Sequence, residues 1–281
     1  MMRIGLIGTE STHARLFAQR IATRADACVS CVLEDGDGTG AELGRNLGLP
    51  VVYSLEEALN QTDAVMIFYR RRDKHYEIAR IALEHNKSVW LDKPFTRTVC
   101  QVQELFDLAS KRHLALSGGS TLRFVENVRC FGARFRECEE ALAASFNYIG
   151  RADSSYDGIA FYGPHALSVL QTAFGPEVRT LSAFHQGKSL TVVARYDHTA
   201  VTMQLADCFE PVGEIYTTER IERYPLTGTD TFEKALEEWL NLCNQKETAD
   251  YETLVAPVAL LNTLEKTLKT GHEEAVEPWR R

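Results

Sequence analysis

The sequence predicts a doubly wound, parallel α/β domain over residues 1–118 and an α+β domain with a mostly antiparallel open sheet over residues 119–281. The first prediction follows from apolar runs that alternate at short spacing with amphipathic helical segments. The second follows from runs of alternating apolar and polar residues that, after residue 118, succeed one another without intervening helices. A chain of 281 residues is long enough to bury two separate cores.

Apolar runs and helical periodicity make the first domain a Rossmann-type unit of six strands. The run 64–68 is apolar throughout, as expected of a strand that helices cover on both faces. Ser54 with Glu57, and Thr98 with Gln101, form capping boxes that begin two of the helices. The predicted strands are 3–8, 28–34, 51–53, 64–68, 88–91 and 114–117, and the predicted helices are 12–24, 41–47, a short one after Ser54, 75–84 with Asp73 as its N-cap, and one from Thr98 to about residue 112.

The second domain is predicted to contain a sheet whose strands are interrupted by one helix and followed by two more. We expect the first of these helices to begin at Gly163-Pro164-His165, because proline is favoured in the first helical turn, and to end before Gly175. The predicted strands are 141–149, 178–185, 190–196 and 200–207, with 214–218 and 221–226 as further candidates, and the predicted helices are 163–174, 230–245 and 252–270.

Composition excludes several classes of partner. The net charge of −8 argues against a general binder of nucleic acid or anionic membranes, whose surface would be basic. No apolar run approaches the roughly 18–20 residues that span a bilayer. The seven cysteines are odd in number and scattered, which is typical of a reduced, cytoplasmic protein. Cys28 and Cys31 form a C-x-x-C pair inside a predicted strand, and no second pair completes a zinc site, so we expect no metal.

Polar side chains gather where the predicted parallel strands end, which is where ligands bind in open α/β sheets. After the first strand, Gly8 keeps the first glycine of a G-x-G-x-x-G dinucleotide motif, but Glu10 and His13 stand at the other two positions. A carboxylate facing phosphate at about 5 Å would cost about 3 kcal/mol per charge at an effective dielectric constant of about 20. The start of the following helix still offers free N–H groups to a pyrophosphate, with hydroxyls from three neighbours: Thr9, Ser11 and Thr12.

Charged residues at two further strand ends are candidates for binding the cofactor. Glu34 ends the second strand, where a carboxylate would accept the ribose 2′-hydroxyl and repel a 2′-phosphate, which favours NAD over NADP. Arg70 begins a run of three arginines after the fourth strand. Arginines at this position suit a phosphate or carboxylate, and a solvated charge run is the alternative interpretation.

Lys93 and His165 are the candidate catalytic residues. Lys93 lies between a strand end and Pro94, on stiff backbone, and burial beside a cationic ring would lower its pKa into a range suited to proton transfer. The alternative is a solvated loop lysine. His165 is expected in the first turn of its helix, where the helix dipole keeps the imidazole neutral and able to relay a proton. A capping or buried structural histidine is the alternative.

Four stretches together resemble the Gfo/Idh/MocA (glucose-fructose oxidoreductase and inositol dehydrogenase) family: the glycine after the first strand, WLDKPF at 90–95, GGSTLRF at 118–124 and GPH at 163–165. The resemblance implies an NAD- or NADP-dependent oxidoreductase of sugars, inositols or polyols, with Lys93 beside the nicotinamide and the substrate hydroxyl and Asp92 on the cofactor side. It also implies that His165 points to the substrate, that Arg123 and Tyr162 contact it, and that the exposed face of the C-terminal sheet joins copies in a homo-oligomer. Phe161 and Ser168 depart from the family, which has acids at both positions.

These departures leave three hypotheses open. The first is a cytoplasmic NAD-dependent dehydrogenase of a small sugar-like or polyol substrate, with no nucleic-acid or membrane partner. The second is a catalytically degenerate protein that binds a nucleotide or metabolite on the same scaffold. The third is non-redox chemistry in which NAD acts as a transient oxidant.

Overall fold

The computed structural model describes residues 1–151, 153–207 and 210–280 and divides the chain into two compact units. Unit 1 comprises residues 1–119 and 232–254, and unit 2 comprises residues 120–231 and 255–281. The predicted domain boundary after residue 118 lies beside the first of these divisions. The segment 232–254 was predicted to belong to the second domain, but it packs with the N-terminal residues in unit 1.

The regular elements are numbered along the chain. The strands are β1 (Met2–Ile7), β2 (Ala27–Leu33), β3 (Val51–Val52), β4 (Ala64–Ile67), β5 (Ser88–Asp92), β6 (Leu116–Gly119), β7 (Ala141–Ile149), β8 (Thr180–Gln186), β9 (Ser189–Arg195), β10 (Ala200–Ala206), β11 (Val212–Thr217), β12 (Ile221–Pro225) and β13 (Glu274–Ala275). The helices are α1 (Thr12–Ile21), α2 (Thr39–Leu47), α3 (Leu55–Asn60), α4 (His75–Glu84), α5 (Val99–Arg112), α6 (Glu126–Glu137), α7 (Ile159–Phe174), α8 (Thr231–Gln245) and α9 (Tyr251–Thr270), and a 3-10 turn covers Thr121–Phe124.

Unit 1 contains a parallel six-stranded sheet in the order β3-β2-β1-β4-β5-β6. The predicted doubly wound fold is confirmed. Strands β4 and β5 are buried along their whole length, as their apolar sequences require between two layers of helices. The strand order reverses between β1 and β4, so this is the crevice where a doubly wound sheet binds its ligand.

Unit 2 contains a seven-stranded sheet in the order β12-β11-β7-β10-β9-β8-β13. Its neighbours pair antiparallel except β7 and β10, which run parallel, so the predicted mostly antiparallel sheet is also confirmed. Phe146 and Met203 from the sheet share a core with Leu167 of α7 and Leu260 of α9. Side chains on the other face of these alternating strands remain partly exposed.

Two helices of unit 2 correct the sequence-based predictions. Helix α6 was not predicted, because its sequence is rich in charges and contains Gly132. That glycine lets α6 approach α7 closely, since a Cβ there would lie 2.0 Å from the carbonyl oxygen of Ala173. Helix α7 begins at Ile159, after Gly158 with a φ of 54°, and not at Gly163.

The early start of α7 changes the surroundings of His165. Ile159 and Ala160 are buried in the core, so tertiary packing extends the helix on the N-terminal side of Pro164. Pro164 therefore lies inside the helix, and His165 lies beyond its first turn. The prediction that the dipole of the first turn acts on His165 is wrong, because the effect of a helix terminus fades within one turn.

Candidate functional site

The turn after β1 is built around Gly8, which has a φ of 70°. A Cβ at this position would lie 2.7 Å from both the backbone nitrogen and the Cγ atom of Tyr69. Tyr69, which follows β4, therefore packs directly on the turn and requires the glycine. The ring is buried, and its hydroxyl donates to the Asp35 carboxylate at 2.7 Å. Tyr69 thus connects the ends of β1, β2 and β4.

Hydroxyl groups stabilise the same turn. Ser11 is the N-cap of α1, and its Oγ accepts from the His13 backbone N–H at 3.2 Å. Thr9 Oγ1 lies 3.1 Å from Thr39 Oγ1 at the start of α2. Thr12, the first residue of α1, is exposed. Two of the three hydroxyls that the sequence offers to a pyrophosphate therefore already have partners within the chain.

Glu10 points along the crevice between β1 and β4. Its Oε1 accepts from the Arg70 backbone N–H at 2.7 Å, so the carboxylate links the turn after β1 to the loop after β4. The side chain is half-buried. The structure therefore holds a negative charge at the position where the dinucleotide motif has its second glycine.

The carboxylate of Glu34 is directed at its own loop. Its two oxygens accept the N–H groups of Gly36 at 2.7 Å, Gly38 at 2.9 Å and Ala41 at 2.9 Å. These backbone donors hold the Glu34 pKa below its usual range. Asp35, the next residue, instead faces the side chains that follow β4. Glu34 therefore stabilises the turn before α2. In this turn the Asp35 side chain faces a cleft between the ends of β2 and β4.

That cleft has a volume of about 470 Å³ and contains charges of both signs. Lys74 Nζ lies 3.0 Å from the Asp35 carboxylate and 4.7 Å from the centre of the Tyr69 ring. Asp73 was predicted to cap α4, but its carboxylate instead pairs with Arg71 at 3.1 Å and with Arg97. The lining residues are Glu10, Asp35, Gly36, Asp37, Tyr69, Arg71, Asp73 and Lys74.

Lys93 lies at the end of β5, where its side chain is 5% exposed. The alternative of a solvated loop lysine is therefore wrong. Burial lowers the Lys93 pKa, the Arg70 cation lowers it further, and the Asp92 carboxylate opposes both effects. The peptide bond from Lys93 to Pro94 is cis. A buried amine with a depressed pKa is a group suited to accepting and returning a proton.

Two histidines lie near Asp92, and the sequence did not predict a role there for either of them. His13 Nδ1 lies 2.9 and 3.0 Å from the two carboxylate oxygens of Asp92. His75 is fully buried between the carbonyl oxygens of Tyr69 at 2.8 Å and Phe95 at 3.2 Å. Burial lowers the His75 pKa, and the Asp92 carboxylate opposes this shift. The signal in the sequence for His13 is its place at the position of the third glycine of the motif.

Unit 2 contains the other predicted site residues. His165 Nδ1 lies 2.8 Å from Oγ of Ser120, which also accepts from the Leu122 N–H at 3.2 Å. Ser120 is buried and was not among the predicted site residues. The Arg123 guanidinium lies 4.2 Å from the centre of the Phe124 ring. His165 therefore has a hydroxyl partner that holds its ring.

The positions that lack the family's acids are filled by packing groups. Phe161 lies between two aromatic rings, with centres 4.8 Å from Tyr156 and 4.7 Å from Tyr162. Ser168 is buried in α7. Tyr162, predicted as a substrate contact, is half-buried and belongs to this aromatic group.

Neither a metal cluster nor a membrane span is found in the described ranges. No three side chains among His, Cys, Asp and Glu come together there in a way that would hold a metal ion. None of the helices there has the length and apolar character that crossing a bilayer requires. Six cysteines are free thiols, and Cys208 lies outside the described residues.

Comparison with known proteins identifies relatives of part of the chain. Residues 2–120 match a family model described as the oxidoreductase family with an NAD-binding Rossmann fold. The chain is 30% identical over 135 residues to the uncharacterized oxidoreductase YhhX of Escherichia coli strain K12. It is 29% identical over 122 residues to the UDP-N-acetylglucosamine 3-dehydrogenase of Acidithiobacillus ferrooxidans. Each match covers 43% of this chain and 38% of the relative.

Solved structures extend the likeness in fold to almost the whole chain. The scyllo-inositol dehydrogenase of Lactobacillus casei, solved with NAD(H) and scyllo-inositol, matches with a TM-score of 0.81 and covers 98% of this chain and 99% of that one. Its sequence identity is 14%, so this likeness concerns the fold. Residues 2–120 match the model of the Gfo/Idh/MocA oxidoreductase family with an NAD-binding Rossmann fold, and for this region the resemblance found in the sequence is confirmed.

Proposed function

We propose that this protein is an NAD(P)-dependent oxidoreductase that transfers hydride between the nicotinamide and a sugar-like or polyol substrate, with Lys93 as the acid/base. The observation that carries the proposal is the burial of Lys93, a residue that is 5% exposed at the end of β5 and whose amine has a pKa below its ordinary value. A buried amine at the carboxyl edge of a doubly wound sheet lies where such folds do their chemistry.

The residues around the cleft fit a nicotinamide dinucleotide. Gly8 keeps the close turn that a Cβ would fill, and the N-terminus of α1 follows it. Asp35 is the carboxylate at the end of β2 that would accept ribose hydroxyls, while Glu34 holds the turn. Arg71 and Lys74 are cations on the cleft wall that would offset the charge of Glu10 beside phosphate. We propose Thr12 and Arg70 as further contacts of the cofactor.

The acidic wall of the cleft favours NAD over NADP. Asp35 and Asp37 both line it, and a 2′-phosphate would be repelled by two carboxylates at the end of β2. Arg71 and Lys74 are each paired with an acid of the same cleft, which limits what they offer to a further phosphate. We therefore expect weaker binding of NADP than of NAD.

The cofactor supplies a hydride acceptor, and the chain supplies the base. Neutral Lys93 takes the proton of the substrate hydroxyl as the carbon–hydrogen bond gives up its hydride, and the ammonium form returns a proton in the reverse direction. Because only the neutral amine is a base, oxidation accelerates as pH rises through the Lys93 pKa. Burial and Arg70 bring that pKa below the ordinary lysine value.

The substrate class and the assembly follow from the relatives and from unit 2. The relatives named above act on an inositol and on a nucleotide sugar, so we propose a polyhydroxylated substrate. His165, held by Ser120, is the proposed proton relay, with Arg123 and Tyr162 as proposed substrate contacts. We also propose a cytoplasmic location and a homo-oligomer formed through the open face of the unit 2 sheet, which light scattering would report as a mass above that of one chain. That face is lined in part by Ser145, Asn147, Thr202, Gln204, Glu214 and Tyr216.

The first experiment combines calorimetry with absorbance at 340 nm. We expect NAD to bind and a panel of inositols, sugars and nucleotide sugars to yield at least one substrate. Lys93→Met should bind NAD as the unmodified protein does and lose about 10²- to 10⁴-fold in turnover, the usual contribution of an acid/base group. Lys111→Met, a change on the exposed surface of α5, is the matched control. Absence of NAD and NADP binding at millimolar concentration would overturn the proposal.

A second candidate function is a binding protein that senses a nucleotide or metabolite without turnover. Phe161, which packs against two aromatic rings where the family has an acid, favours it. Binding of NAD together with a silent substrate panel would support this alternative over the enzyme.

A further inference from the structure

His13 makes a contact that the glycine it replaces could not make. The third glycine of a dinucleotide motif serves close packing between the first helix and the sheet. Here the His13 ring reaches from α1 to the end of β5 and contacts both oxygens of Asp92, at 2.9 and 3.0 Å. The Asp92 side chain is 1% exposed and that of His13 is 15% exposed. The pair is therefore largely removed from solvent, beside the residue that we propose as the base.

The orientation of the His13 ring is held by aromatic packing within unit 1. The Phe232 ring meets it edge-on, with centres 5.1 Å apart. Phe232 in turn packs on Phe17 at 5.2 Å and lies under the Arg20 guanidinium at 5.8 Å. Because a carboxylate only accepts hydrogen bonds, the nitrogen that faces it must carry the hydrogen. His13 is thus the Nδ1–H tautomer when neutral, with the positive end of that bond directed at Asp92.

We propose that His13 is a positioning residue for Lys93: its Nδ1–H holds the Asp92 carboxylate and cancels part of the field that this carboxylate exerts on the lysine amine. The inference rests on the proposed role of Lys93 as a base. A positive potential beside an amine disfavours its charged form. His13 therefore helps to keep Lys93 neutral, and a neutral amine is the form that removes a proton.

Other charged and titratable groups act on the same amine from the elements packed around it. Asp92 on β5 favours the charged amine, and Arg70 in the loop after β4 disfavours it. His75 on α4 is buried near Asp92, but its two ring nitrogens face the carbonyl oxygens of Tyr69 and Phe95. His13 is the residue of this group whose ring nitrogen faces the Asp92 carboxylate directly.

The test measures the titration of Lys93 without requiring turnover. In protein labelled with ¹³C-lysine, the Cε resonance of Lys93 is assigned through Lys93→Met and followed with pH. His13→Leu removes the donor, and we expect the Lys93 pKa to rise by about one unit, typical of the loss of one charge-assisted hydrogen bond. His13→Asn retains an N–H donor near the position of Nδ1 and should restore at least half of the shift. His198→Asn, at an exposed position, should leave it unchanged.

A second measurement covers the case in which a variant does not fold. In the unmodified protein, ¹⁵N spectra of the His13 ring should show hydrogen on Nδ1, and hydrogen on Nε2 alone would overturn the proposal. An unchanged or lowered Lys93 pKa in His13→Leu would overturn it as well. Where turnover is found, the inflection of its pH profile should move up by the same amount. These titrations remain informative if no substrate is found, so failure of the proposed function is distinguished from failure of this inference.

Discussion

At the carboxyl edge of the unit 1 sheet, the cleft beside β2 and β4 and the pair at the end of β5 contain the same kinds of groups in different surroundings. In the cleft, the side chains of Lys74 and Arg71 are 57% and 64% exposed although each is paired with an acid. At the end of β5, Asp92 is 1% exposed and Lys93 is 5% exposed. Both regions hold carboxylates and cations within the same sheet edge.

The difference in exposure decides what each region can do. Water and salt screen the exposed charges, so these pairs add little to stability and can exchange partners with a ligand. The buried charges are screened much less, and each strongly changes the proton affinity of its neighbours. The cleft is therefore suited to binding, and the buried pair is suited to proton transfer.

Asp92→Asn should have the largest effect on stability, because it leaves the Lys93 ammonium buried without its carboxylate. We expect a loss of about 3 kcal/mol in the free energy of unfolding at pH 7. The substitution lowers the folded-state pKa of Lys93 further, so the loss is greatest at pH values below the folded-state pKa of Lys93 in the unmodified protein, where the buried amine is charged. It should shrink as pH rises through that pKa, because both proteins then hold the neutral amine, and it should be small near pH 10. Urea denaturation at both pH values measures the difference.

The exposed pair between Asp197 and Arg179 is the matched control for this comparison. Asp197→Asn should cause a much smaller loss, without the same dependence on pH. Equal losses for the two variants at pH 7 would contradict the contrast between buried and exposed charges.

Glu34→Gln should have an intermediate effect, since Glu34 is buried like Asp92 but is bound by backbone N–H groups. In the unmodified protein, both carboxylate oxygens of Glu34 accept backbone N–H groups. The glutamine side chain replaces one of these oxygens with an NH₂ group, which is itself a donor, so we expect a loss of about 2 kcal/mol in the free energy of unfolding at pH 7. The native pKa of Glu34 lies below its unfolded value, so the carboxylate stabilises the fold above about pH 4.3 and loses this effect as pH falls through the native pKa.

Denaturation of Glu34→Gln at pH 7 and pH 3 checks this sign. The gap between the variant and the unmodified protein should narrow at the lower pH. Glu140→Gln, at an exposed position, is the control. A gap that widens at pH 3 would show that the three N–H contacts do not favour the charged form.

Glu10→Gln should have the smallest effect and should act on the ligand rather than on the fold. The amide keeps an oxygen for the Arg70 N–H and removes the negative charge from the crevice. Because solvent partly screens the half-buried charge, we expect the variant to bind NAD about tenfold more tightly than the unmodified protein does. Unscreened repulsion between Glu10 and phosphate would give a larger difference in affinity. Calorimetry with NAD measures this affinity, and an unchanged value would mean that the phosphates of bound NAD do not lie near Glu10.

Much of the fold could be predicted because burial leaves a local record in the sequence. The apolar run of β4 and the alternating residues of β7, β9 and β10 report which faces are covered, and the structure contains those strands. The start of α7 could not be predicted in the same way. Proline and glycine signals pointed to residue 163, whereas core packing of Ile159 and Ala160 carries the helix further.

The residues of the candidate site also fall into two groups, those that local sequence features predict and those that only tertiary contacts reveal. The sequence alone identified Gly8 and Lys93, because a turn after a strand and a lysine before proline are local features. It did not reveal that Glu34 bonds its own loop, that Tyr69 packs on Gly8, or that His13 meets Asp92, a residue 79 positions away. Parallel strands bring together residues that are distant in the chain, so the contacts at their ends were decided only by the tertiary structure.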